Sequence, residues 1–291
     1  MRELCDVAPV DRPARAAPQA PSSHAPIIAG VGTGLLAAAT LVEAFGRTRR
    51  GVTPTVHGGI GSAATLRAVV DGLGAVGLGS RALRDPEKVG GLTILPYART
   101  AVVCGVHPTV AKDDITGSDL VRIYQGSTTH WRDGRAIALL TREPGSGSIE
   151  ALEHAVPGFA AAYQASRQAK RATTLFSDEE MNRILARTPA ALGVTDLGAM
   201  ADQHVLIKPL RFDGVPPTLA SIRAGSYPLV KTLAFAFVEK RLPENAVAFL
   251  EFVRSPEGEK ILRSRGCLPA TEDSPMPAGA GPGRDLGGSP E

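Results

Sequence analysis

Aromatic residues are scarce, at 4% of 291 residues, and charge of one sign never accumulates. Nucleic-acid binders stack bases on rings and track phosphates with a basic stripe, so that class has no support here. The one basic block, Arg47-Thr48-Arg49-Arg50, suits a solvated helix end in a chain of net charge +3. Cysteine is rare as well: Cys5, Cys104 and Cys267 are odd in number and lack metal-ligand spacing. Cys104 lies in an apolar run and is expected to be buried, while a Cys104–Cys267 disulfide stays open. The histidines are scattered without HExxH or paired spacing, so neither a metal nor a cofactor is expected. GxSxG and an evident Cys/His pair are missing, and the chain is expected not to be an enzyme. GxxxxGKS/T is missing too, which removes a P-loop. No run is long enough to span a bilayer. Residues 1–26 carry Arg2 but no apolar centre, so no secretory signal is visible, and the chain as written would stay in the cytoplasm.

What is present is a chain 43% hydrophobic, enough for one large core or two smaller ones. Residues 1–26 are rich in Ala and Pro and residues 271–291 in Pro and Gly, and both are expected to be disordered tails. Between them, short strands alternate with helices. Ile27-Ile28-Ala29 meets a glycine loop, Gly30-Val31-Gly32-Thr33-Gly34, and residues 35–45 run as a helix with apolar spacing of three and four. The loop fits GxGxG, yet the next strand, 53–56, ends in His57-Gly58-Gly59 without the acidic residue a ribose needs. Further strands are predicted at 75–78, 92–96, 101–106, 191–195, 205–210 and 227–238. Helices are predicted at 63–71, 115–124, 149–156, 158–167, 178–187, 245–254 and 256–265. Trp131 sits in a polar loop as a packing anchor.

Three strand-like pieces end in Gly with Ser or Thr, at Thr33, at Ser62 and at Ser146–Ser148. Open α/β sheets place ligands at such strand ends. The fullest case is Thr141-Arg142-Glu143-Pro144-Gly145-Ser146-Gly147-Ser148, between an apolar run at 137–140 and a helix start. A helix start offers unpaired N–H groups and roughly half a positive charge. Gly145 and Gly147 let backbone approach a ligand, Ser146 and Ser148 add hydroxyls, and Arg142 adds a planar donor fork. The stretch fits an anion cradle, and equally an arginine beside an ordinary Ser/Gly cap.

In order and spacing, these segments together resemble the phosphate-binding component of phosphate ABC transporters, over residues 27–270. Residues 30–45 resemble its first loop and helix, Gly58-Gly59-Ile60-Gly61-Ser62 its glycine/serine loop, and Gly77-Leu78-Gly79-Ser80-Arg81-Ala82-Leu83 its Ser-Ser-Arg-Pro-Leu segment. Arg142 to Ser148 resembles the signature Arg-x-x-Gly-Ser-Gly-Thr. Val215-Pro216-Pro217-Thr218 and Gly225-Ser226-Tyr227-Pro228-Leu229 resemble a family loop, and residues 249–266 its ending. The resemblance implies an α/β, two-lobed type II periplasmic binding-protein fold, with two α/β lobes joined by two crossing strands. The lobes would be 27–99 with 232–270, and 100–231.

The resemblance also implies a site between the lobes, with Thr33, Ser62 and Ser80 from the first and Arg142, Ser146, Gly147 and Ser148 from the second. It implies a monomeric, extracytoplasmic carrier that delivers inorganic phosphate to a membrane permease, with no bond made or broken. Sulfate, molybdate and tungstate remain alternative ligands, and a soluble sensor or scaffold an alternative role. Pro144 stands where many members carry a carboxylate, and Ser80 where some carry an aspartate; Glu143 could replace the proton acceptor or simply pair with Arg142. Micromolar binding needs about 8 kcal/mol, within reach of five or six donors at about 1.5–3 kcal/mol each. A single arginine without a full set of countercharges is expected to hold the anion reversibly.

Overall fold

A computed structural model of the chain describes residues 28–29, 34–48, 62–80, 91–201 and 206–270. In chain order, β1 (Ile28–Ala29) leads to α1 (Leu35–Thr48), α2 (Ser62–Val70), β2 (Val76–Gly79) and the long β3 (Thr93–Val106). Next come β4 (Asp114–Ile115), α3 (Gly117–Gln125), β5 (Ala138–Arg142), α4 (Gly147–Ala155) and α5 (Phe159–Gln168). They are followed by β6 (Thr173–Leu175), α6 (Asp178–Leu185), β7 (Ala191–Asp196), α7 (Leu197–Met200), β8 (Lys208–Pro209) and β9 (Arg211–Phe212). The chain closes with α8 (Leu219–Arg223), β10 (Val230–Phe237), α9 (Glu244–Val253), α10 (Pro256–Ser264) and β11 (Leu268–Pro269).

The strands form one mixed sheet in the order β1-β2-β10-β3-β7-β5-β6, with β8 and β11 also on β3, while β4 pairs with β9. β3 is the spine. Its residues 93–101 pair with β10 and its residues 102–106 with β7, both antiparallel. One strand therefore runs out of one packed unit into the next. On one side Leu41, Phe45, Phe235 and Phe249 form a core with α1 and α9 over the sheet. On the other, Val103, Tyr124, Ile149, Phe159 and Leu192 form a second core. The chain is α/β and two-lobed.

The sequence suggested two strands at 92–96 and 101–106, and the structure joins them. Arg99 and Thr100 are polar interruptions only along the sequence. Their backbones pair with Thr232 and Lys231, and the Thr100 hydroxyl donates to the Gly266 carbonyl at 3.0 Å. Pro96 is tolerated because β10 shifts register beside it, between Leu233 and Ala234. Trp131 packs in the second core and donates its indole N–H to the Ala190 carbonyl at 2.9 Å, as a packing anchor would. In the stretch 205–210 only Lys208–Pro209 is strand, and Val205 lies outside the described residues. The predicted strand 53–56 and both predicted tails also lie outside them.

Candidate functional site

β5 delivers the site. Leu139 and Leu140 bury the strand, and Thr141 and Arg142 end it. The chain then turns: Ser146 N–H donates to the Glu143 carbonyl at 3.2 Å, and Gly145 takes φ 74°, where a side chain would be strained. Ser146 caps α4. Its Oγ accepts from Ile149 N–H at 3.4 Å, and its carbonyl accepts from Glu150 N–H at 3.0 Å. The N–H groups of Gly147 and Ser148 in the first turn have no acceptor among the described residues. They are donors at the positive end of a helix.

Ser80, just past β2, lies directly on this turn. A Cβ placed on Gly147 would overlap the Ser80 carbonyl oxygen and come within 2.5 Å of its Oγ. Glycine here permits the close approach of two chain segments. Ser80 is 4% exposed and its Oγ has no hydrogen-bond partner among the described residues. Ser148 is fully buried; its Oγ accepts from Lys231 Nζ at 2.9 Å, and its own hydrogen has no acceptor among the described residues. Two buried hydroxyls with unsatisfied hydrogens thus flank Gly147.

The charges around them are paired. Arg142 is fully buried and its guanidinium is spread over Asp178, Glu143 (Nε to Oε2, 3.1 Å) and the Phe176 carbonyl (3.0 Å). This corrects the expectation of an arginine short of countercharges: α6 brings Asp178 onto Arg142 from a part of the chain far away in sequence. Burial disfavours the Arg142 cation, but Asp178 and Glu143 outweigh it and hold its pKa above the usual arginine value. Lys231, on β10, pairs with Asp196 at 2.7 Å, and both are buried. Burial pushes Asp178 up to about 6, with Asp196 adding repulsion and Arg142 and Lys231 opposing the shift. For Asp196 burial acts the same way, but Lys231 and the Ala199 N–H outweigh it and hold the carboxyl below the usual range. Asp178 Oδ2 has no hydrogen-bond partner among the described residues.

Of the residues singled out from sequence, the structure sets Ser80 against Gly147, between Ser146 and Ser148; Arg142 ends β5 just before this turn, with its guanidinium on Asp178, Glu143 and the Phe176 carbonyl. Thr33 lies outside the described residues; Ser62 begins α2, and its side chain lies outside them. Sequence reasoning missed Lys231, Asp178 and Asp196. Lys231 carried a signal, a lone lysine inside the apolar run of β10. Asp178 resembles any acid in a helix first turn, beside Glu179 and Glu180. Asp196 caps α7 through Ala199 N–H at 2.6 Å, and so passes for an ordinary cap. The disulfide left open is absent: Cys104 and Cys267 are free and buried, and burial pushes the Cys104 thiol up to about 12. Among the described residues no helix is long and apolar enough to cross a membrane.

Residues 15–257 match the family model of the PBP superfamily domain. The phosphate-binding protein PstS of Bacillus subtilis is 24% identical over 209 residues, covering 68% of this chain and 66% of that protein. The chain thus spans about two thirds of that relative's length. Among solved structures, a Clostridium perfringens protein described as a phosphate ABC transporter substrate-binding protein with bound phosphate superposes with a TM-score of 0.74. It is 22% identical and covers 84% of this chain and 98% of that one. An ABC-type phosphate transport receptor from Vibrio cholerae gives a TM-score of 0.60 at 20% identity, covering 83% of this chain and 99% of that one.

Proposed function

Because the chain belongs to the PBP superfamily, we propose that it is a substrate-binding protein that captures inorganic phosphate between its lobes and hands it to an ABC transporter permease. The lobes would be residues 27–99 with 232–270, and residues 100–231. One observation carries the reading: the buried hydroxyl hydrogens of Ser80 and Ser148 lack acceptors among the described residues, beside Gly147 at the open start of α4. A buried donor without a partner costs about 1–3 kcal/mol, and a tetrahedral oxyanion would satisfy several at once. The relatives described above, phosphate-binding proteins and a phosphate transport receptor, support phosphate as that anion.

Since Arg142 and Lys231 already have carboxylate partners, the anion meets mainly dipoles, with charge one bond further away. Such a site holds without trapping, which suits a carrier that acts outside the cytoplasm as a monomer and makes or breaks no bond. The same pairing also favours a second reading, a sensor or scaffold whose pocket takes anions weakly. Sulfate, molybdate and tungstate are the competing ligands.

A thermal-shift panel of phosphate, sulfate, molybdate and tungstate separates these. Phosphate is expected to raise the melting temperature most, since a ligand bound only to the native state stabilises it by mass action. Ser80→Ala is expected to lose most of that shift. A panel in which no anion moves the melting temperature would sink the carrier reading and leave the scaffold.

A further inference from the structure

We infer that Lys231 is a positioning residue of the anion site, acting through Ser148 to make that hydroxyl an obligatory donor to the ligand. The inference rests on the phosphate reading of the same site. A serine hydroxyl can give one hydrogen and accept two, and in a loosely held site it can turn either way. Here Lys231 Nζ stands 2.9 Å from Ser148 Oγ, and an ammonium only donates. The oxygen of Ser148 is therefore committed as acceptor, and its hydrogen must point elsewhere. No described residue accepts it. What remains for it is a ligand held at this turn, where Ser80 and the first N–H groups of α4 also lie.

The surroundings fix this arrangement. Lys231 is 3% exposed and Ser148 fully buried, so no solvent competes for either. Antiparallel pairing sets Lys231 opposite Thr100 and Asp196 opposite Val102, so the two charged side chains share one face of the sheet. There Asp196 holds the ammonium at 2.7 Å and aims it at α4. A lysine on a buried strand is costly unless it is paired and hydrogen-bonded, and here it is both. Its hydrogen bond to Ser148 also polarises that O–H, strengthening it as a donor to an anion.

Calorimetry with inorganic phosphate tests the inference on the full chain. Lys231→Met combined with Asp196→Asn removes the buried pair without leaving a lone charge. This variant is expected to weaken phosphate binding about tenfold or more, the usual range for a donor to a charged group. Ser148→Ala is expected to lose a similar factor. Adding Ser148→Ala to the pair variant should cost less than about threefold more, because the two act as one unit. Asp196→Asn alone keeps the cap of α7 and leaves the ammonium less neutralised, so it should tighten phosphate binding. A purely structural ion pair makes the opposite forecast, with Asp196→Asn weakening binding as the pair variant does. That outcome, losses that simply add, or a folded pair variant binding like the parent, would overturn the role of Lys231. A parent protein that takes up no phosphate at all would instead defeat the phosphate reading beneath it.

Discussion

At the scale of the residue, the site is defined by how few of its polar groups are free. Arg142 and Lys231 are buried cations: Arg142 is held by its neighbour Glu143 and by the distant Asp178, and Lys231 by the distant Asp196. Asp178 is the least comfortable member. Its pKa of about 6 lies above the ordinary carboxylate value of about 4, so the folded protein keeps a proton that the unfolded chain has lost between those pH values. Stability therefore falls as pH rises through that window. Asp196 behaves oppositely: its depressed pKa contributes stability that is lost only as pH falls below the ordinary carboxylate range. Asp178→Asn keeps an acceptor for Arg142 and removes the titration. Relative to this variant, the parent should melt several degrees lower at pH ~7.5 than it does at pH ~4.5. Differential scanning calorimetry at the two pH values measures it, and an unchanged difference would show that Asp178 titrates normally.

At the scale of the element, α4 does what its sequence announced. A glycine turn, a serine cap and two further N–H groups were all visible in Gly145-Ser146-Gly147-Ser148. What the sequence did not show is that Gly147 lies against Ser80, so that this glycine serves contact between two segments more than flexibility. Gly147→Ala places a methyl where the Ser80 carbonyl stands. The lobes must then part, and phosphate affinity should fall about a hundredfold or more while the separate cores stay folded. Titration calorimetry reads the affinity, and small-angle scattering should show a larger radius of gyration. Binding within threefold of the parent would mean that the contact at Ser80 is dispensable. β3 teaches the converse lesson. Its polar residues Arg99 and Thr100 break the apolar pattern, so one strand looks like two, and only pairing with β10 and β7 makes it continuous.

At the scale of the whole molecule, a sheet whose spine passes through two cores places the first turn of α4, the end of β2 and the start of β10 side by side. Buried dipoles and paired charges should make binding insensitive to salt, because screening acts on charges that face water. Phosphate affinity is expected to change less than about threefold between about 50 and about 500 mM sodium chloride, measured by calorimetry. A steep fall would place the anion on surface cations instead.

Local signals were legible from the chain alone: alternating strands and helices, Trp131 as an anchor, and the arginine, glycines and serines around α4. Each is a property of neighbours within a few residues, where spacing and capping chemistry act. The partners of Arg142 and Ser148 were decided only by the tertiary structure. Asp178, Asp196 and Lys231 come from α6, β7 and β10, and nothing in a linear pattern distinguishes a capping acid from a buried counter-ion. Burial makes that difference, since it removes the water that would otherwise satisfy each charge and forces distant side chains to satisfy one another.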